Sequence, residues 1–78
     1  MNENVIDMLQ VYEQCNKIVT DLIAIRKQAN LSQEFMAEWL GVSRKKMNEF
    51  EKGDFDFKLL AKYADKLSVT INITHTIN

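Results

Sequence analysis

The spacing of apolar positions changes twice along the chain. Between residues 3 and 29, Val5, Met8, Tyr12, Cys15, Val19 and Leu22 recur in steps of three and four, and Val11, Ile18 and Ile25 widen the stripe. That is one face of a helix. No Gly or Pro interrupts it, so the pattern predicts a single long helix over 3–29. Cys15 and Asn16 are poor helix formers, which makes a break near 14–17 the alternative. Residues 18–29 are enough to cover a small helical core. The earlier half is surplus, and its apolar side needs a partner, either on its own domain or on a second subunit.

Three shorter helices follow, each with a start and a stop. Ser32 is a good N-cap with Glu34 in the first turn, Met36, Ala37 and Leu40 share a face, and Gly41 ends a helix over 33–40. Val42 plugs the turn and Ser43 caps a helix over 44–52, with Met47 and Phe50 inward and Gly53 beyond its end. Asp54-Phe55-Asp56 then connects to a helix over 57–67, capped by Asp56. Its inward stripe is Phe57, Leu60, Tyr63 or Ala64, and Leu67, with Lys58, Lys62 and Lys66 toward solvent. After Ser68 the period falls to two, as Val69, Ile71, Ile73, His75 and Ile77 alternate with Thr and Asn. That pattern predicts a β-strand over 69–77. A lone strand leaves its backbone groups unpaired. Pairing with the same strand of a second copy solves this, so Val69, Ile71, Ile73 and Ile77 are expected to form a dimer contact.

At 78 residues the chain is expected to be one domain, 1–78, and marginal in stability alone. One Cys and one His, distant in sequence, offer neither an intrachain disulfide nor a metal cluster. Cys15 has no neighbouring base and reads as core filler. Two glycines make no phosphate-binding loop. The chain is therefore expected to be no enzyme and to need no cofactor or metal, which leaves oligomerisation as the staple. Net charge is −1 and the pI about 5.7, so the whole chain is no polycation. The distribution says more: Glu3, Asp7, Glu13 and Asp21 occupy the first part, whereas Arg44, Lys45, Lys46 and Lys52 cluster later, after Arg26 and Lys27. No apolar run spans a bilayer, no signal segment is expected at the start, and a lone cysteine suits a reducing cytoplasm.

The stretch 31–53 carries the chemistry. Two helices that cross closely need a small residue, a Gly at the turn and apolar residues on either side; Ala37, Gly41, Val42 and Met47 supply them. With Met47 and Phe50 inward, Arg44, Lys45, Asn48, Glu49 and Lys52 point outward and Lys46 sits at the edge. That face suits the major groove of DNA, and a merely solvated helix face is the alternative for 44–46. Ile25-Arg26-Lys27, Leu31-Ser32-Gln33-Glu34, Met36-Ala37, Leu40-Gly41-Val42-Ser43-Arg44 and Glu51-Lys52-Gly53 together resemble the Xre (Cro/cI-like) helix-turn-helix family over about residues 18–69.

The resemblance implies a mainly α fold: a lambda-repressor-like bundle of four helices, with a long N-terminal helix and a C-terminal β-strand pairing across a dimer. It implies that Gln33 touches a phosphate and braces the next helix. Arg44, Lys45 and Glu49 match base-reading positions, with Ser43 and Asn48 nearby. Arg26 and Glu51 match an internal salt bridge. For Lys46 and Lys52 a phosphate role is expected, because most contacts go to the backbone. Glu49 either accepts from cytosine N4 or orients Arg44 or Lys45. Two departures stand out: the short connection Asp54-Phe55-Asp56, and apolar Phe35 and Trp39 where the family is usually polar. That aromatic pair is expected to be covered by the chain itself or a second subunit, or else to form a partner patch. A helix-turn-helix followed by one strand also resembles HipB- and HigA-type antitoxins. The expected function is a homodimeric regulator binding a palindromic double-stranded operator, a repressor of its own operon. The alternative is an antitoxin that neutralises a cognate toxin, a role compatible with DNA binding. Either would be a cytoplasmic protein of bacterial or phage type, with no membrane association.

Overall fold

The computed structural model describes residues 3–71, with side chains from residue 8 onward. The fold is mainly α, four helices in the order α1 (Glu3–Gln28), α2 (Gln33–Leu40), α3 (Arg44–Glu51) and α4 (Phe57–Lys66). Side-chain oxygens set the starts of the last three. Ser32 Oγ accepts from the Phe35 amide at 2.9 Å, Ser43 Oγ from Lys46 at 3.0 Å, and Asp56 Oδ1 from Leu59 at 3.1 Å. Each satisfies an amide that the helix cannot.

All four helices end the same way. The chain turns through positive φ at Asn30, Gly41, Gly53 and Ser68. The following amide then reaches back over the last turn: Leu31 to Arg26 O at 3.0 Å, Val42 to Ala37 O at 2.9 Å, Asp54 to Glu49 O at 2.9 Å and Val69 to Ala64 O at 2.8 Å. This is the Schellman ending. Gly53 has the widest φ, 114°, which L side chains rarely adopt. After three of these turns an apolar residue (Leu31, Val42, Val69) leans back on the core, so each ending also aims the next segment.

Helix α2 packs on α3 and α4, and α1 packs on α3 and α4. Leu22, Met36, Met47, Phe50, Leu60 and Tyr63 are fully buried at the centre. The rings of Phe50 and Tyr63 lie 5.8 Å apart. The inward faces expected of α2 and α3 are the buried ones. On α4 the stripe is rotated: Leu59 is buried, whereas Phe57, expected inward, is 60% exposed and meets Phe55 edge to face at 4.8 Å. Buried Leu59, Leu60, Tyr63 and Ala64 span an arc whose flank, about 90° from its centre, is where Phe57 falls.

On α1 the buried side begins at Cys15 and continues through Val19 and Leu22; Met8, Leu9 and Tyr12 are exposed. The molecule measures 44 × 22 × 17 Å, and a 26-residue helix is about 39 Å long, so α1 sets the long dimension. Tyr12 borders a cleft with Glu51, Lys52 and Gly53; beyond it the helix leaves the body.

The strand expected over 69–77 does not begin where the pattern changes. Residues 69–71 have no regular structure, and Val69 and Ile71 lean against the chain's own core. The turn at Ser68 causes this, because its backward hydrogen bond folds Val69 onto the bundle. Ile73, His75 and Ile77 lie outside the described residues. Among the described residues no helix is long and apolar enough to cross a membrane.

Candidate functional site

A buried polar knot fixes α3, the helix with the basic outward face. Arg26 of α1 is the one buried charged residue among those described. Its Nε and Nη2 donate to Glu51 Oε2 and Oε1 at 2.9 and 3.0 Å, a two-pronged ion pair. Its Nη1 donates to the carbonyl of Leu31 at 2.7 Å. The Tyr63 hydroxyl donates to Glu51 Oε2 at 2.7 Å and accepts from Arg26 Nε at 3.1 Å. Gln33 Nε2 donates to Glu51 Oε1 at 3.2 Å. Glu51, the last residue of α3, thus receives donors from α1, α2 and α4 together. No buried side-chain nitrogen or oxygen among the described residues lacks a partner.

The knot shifts two of its members. Burial alone would lower the Arg26 guanidinium, but the hydrogen bond and charge of Glu51 outweigh it and hold the group above its usual range. Burial pushes the Tyr63 hydroxyl up, and its bond to Glu51 adds to this against the opposing pull of Arg26. Native Tyr63 therefore stays protonated where an unfolded tyrosine, with its ordinary value near 10, would ionise. Its contribution to stability is complete below pH ~10 and is lost as pH rises further. We expect denaturant midpoints to fall between pH 9.5 and 11.5 (roughly the range around that value), with a shallower fall in Tyr63→Phe; identical slopes would detach Tyr63 from the alkaline transition.

With its end held, α3 displays its other side. Arg44, Lys45 and Lys52 are exposed, and Asn48 and Glu49 are half-buried at the edge of the same face. Arg44, Lys45, Glu49 and Lys52 form no ion pair among the described residues. Glu49 is thus not engaged with Arg44 or Lys45. Ser43 is exposed, with its hydroxyl spent as the cap of α3. Gln33 stands half-buried at the start of α2, tied to Glu51.

Lys46 departs from the group. Its Nζ lies 3.3 Å from Asp56 Oδ2, a half-exposed pair across the short connection. The Leu59 amide first, and then Lys46, hold the Asp56 carboxyl below the usual carboxylate range. Sequence reasoning finds Asp56 only as a cap; the three-residue connection, which brings α4's start back beside α3, is the available signal.

Phe35 and Trp39 form an aromatic pair on α2, 5.3 Å between rings at 50°. Both stay more than 40% exposed. Lys66 Nζ of α4 stands 5.3 Å over the Trp39 ring, a cation–π contact. Val69 and Ile71 pack, partly buried, against the core cluster.

Among the described residues no three or more of His, Cys, Asp and Glu gather to hold a metal. Cys15 is buried, which pushes its thiol up, away from the reactive thiolate. No protein-family model matches the chain, and searches of curated proteins and of solved structures return no significant match.

Proposed function

We propose that this protein is a sequence-specific DNA-binding regulator, a homodimeric repressor that occludes the promoter of its own operon. The observation that carries the reading is the unpaired outward face of α3: Arg44, Lys45 and Lys52 have no ion-pair partner among the described residues, on a short helix anchored through Glu51. Arg44 and Lys45 donate to guanine O6 and N7 in the major groove. Asn48 and Glu49 flank them, with Ser43 capping the helix. Gln33 and Lys52 contact phosphates, and so does Lys46 once it leaves Asp56.

The finer fold in this reading is a lambda-repressor-like helix-turn-helix of the Xre type. Two copies present two α3 helices about 34 Å apart, one turn of DNA. The alternating tail 69–77 pairs between the copies, with Val69 and Ile71 leaving their intramolecular seat to do so. Deleting 69–78 is expected to weaken the dimer in a mass measurement; an unchanged dimer removes the tail from the interface.

The direct test is selection from a random DNA library followed by footprinting. A palindromic site protected in two halves one turn apart is the expected result. Affinity should fall with salt, at a slope near 0.9 for each phosphate engaged. No enriched sequence, or binding that ignores sequence, overturns the reading. The second reading, a protein-binding module that neutralises a toxin, draws on the exposure of Phe35 and Trp39. Complex formation with the product of a cotranscribed gene, abolished in Trp39→Ser, distinguishes it.

A further inference from the structure

We infer that Asp56 is a positioning residue for DNA binding: it keeps Lys46 in an internal ion pair that a phosphate must displace. It thereby sets the strength and salt dependence of binding without touching a base. The inference rests on the regulator reading and adds to it the control of one contact.

Two ion pairs tie α3 to the rest of the chain, and they differ in kind. The Arg26–Glu51 pair is two-pronged, at 2.9 and 3.0 Å, with side chains only 8% and 7% exposed. Solvent barely reaches it. The Lys46–Asp56 pair is a single contact at 3.3 Å, with side chains 39% and 33% exposed. A second anion can approach Lys46 there without opening the core. Exposed pairs of this sort contribute little to stability, so Lys46 can exchange one anion for another.

The place of the pair gives the exchange a direction. At 100° per residue, Lys46 lies about 110° from the centre of the outward face of α3, on the side of Glu49. A helix seated in the major groove has a phosphate strand along each flank, so a lysine at that edge meets backbone rather than bases. The Asp56 carboxyl divides its two oxygens. Oδ1 accepts from the Leu59 amide as the cap of α4, and Oδ2 faces Lys46. The cap therefore keeps the carboxylate in place when Lys46 leaves. Arg44 and Lys45, the other two cations of α3, have no ion-pair partner among the described residues. Lys46 is withheld while they are free.

Displacing Asp56 lowers affinity by the value of the ion pair, about two- to fivefold. It also flattens the response to salt. A lysine that moves from solvent onto a phosphate releases a counterion. A lysine that moves from Asp56 leaves a bare carboxylate behind, which draws a cation from solution and offsets part of that release.

Asp56→Asn separates the two jobs of this side chain, since asparagine caps a helix as well as aspartate and carries no charge. Asp56→Ser is a second uncharged cap. Binding is titrated across a range of salt on the selected duplex and on a mixed-sequence duplex. Both variants should melt close to the parent and bind both duplexes about two- to fivefold more tightly at the lowest salt. Their salt slopes should be steeper by roughly half a unit, part of the ~0.9 that one phosphate contact contributes. Asp54→Asn removes the same charge from the same connection, where it forms no ion pair among the described residues, and should leave the slope at the parent value. In Lys46→Gln the further change Asp56→Asn should no longer alter the slope, because no lysine is left to release.

Slopes for Asp56→Asn and Asp56→Ser equal to the parent's overturn the inference. So does a steepening that persists in Lys46→Gln or is matched by Asp54→Asn, since a general loss of negative charge then explains it. A parent that binds both duplexes equally, with the Asp56 effect intact, counts against the regulator reading alone. A parent that prefers the selected duplex and shows no Asp56 effect counts against this inference alone. A parent that binds neither overturns both.

Discussion

Glu51→Ala is expected to lower folding stability by about 3–5 kcal/mol, the usual cost of removing one partner from a buried ion pair. The size follows from what remains. Arg26 is only 6% exposed, so its guanidinium would keep its charge out of water with only the Leu31 carbonyl and the Tyr63 hydroxyl, both neutral, as acceptors. The Tyr63 hydroxyl and the Gln33 amide would each lose a partner as well. A domain of this size is held by roughly 4–12 kcal/mol in all, so the variant should be partly unfolded at growth temperature. Its melting point should drop by about 12–40 °C, at about 4–8 °C for each kcal/mol in a domain of this size. Arg26→Met/Glu51→Leu, which removes both charges, should recover much of the loss, because apolar replacements of buried pairs are often well tolerated. Urea midpoints for the parent and both variants decide the matter. If Glu51→Ala came within about 0.5 kcal/mol of the parent, a typical surface effect, the knot would not be what holds α3.

That knot shows how far the residues alone can lead. The caps Ser32, Ser43 and Asp56 and the turns at Gly41 and Gly53 are legible because each answers a local need of the backbone. Arg26 and Glu51 are paired through the family resemblance. Tyr63 reads in sequence only as an inward residue, since a ring that fills a core looks apolar until its hydroxyl is seen to reach a carboxylate. The Lys46–Asp56 and Lys66–Trp39 contacts escape the sequence for a related reason: long side chains meet across elements, and no periodicity reports which neighbour they reach. Phe57 misleads because the 57, 60, 64, 67 spacing fits a helical face as well as the 59, 60, 63, 64 set that is buried. At the tail, alternation shows what 69–77 could pair as, but not that Ser68 would first fold Val69 against the bundle.

Arg44→Ala/Lys45→Ala is expected to weaken binding to the selected operator by at least about a hundredfold, at about 1–3 kcal/mol for each good base contact. The fold should not change. Both side chains are exposed and neither makes an ion pair among the described residues, alanine is the best helix former, and Ser43 still caps the helix. The melting point should therefore stay within the effect of an ordinary surface change, about 0.5 kcal/mol. Removing positive charge from the first turn of α3 even favours the helix slightly. Lys52→Ala should behave differently. Removing a side chain that holds a phosphate weakens all sequences alike and reduces the salt slope by about 1. Glu49→Gln separates the two roles open to that residue. Since Glu49 does not pair with Arg44 or Lys45 in the free protein, a base-reading role changes the preferred base at one position, whereas an orienting role on DNA weakens every site that depends on those two residues. Gel-shift titrations on the selected site and on single-base variants measure all of these. Should the Arg44→Ala/Lys45→Ala protein bind the selected site as the parent does, the reading surface is not the outward face of α3.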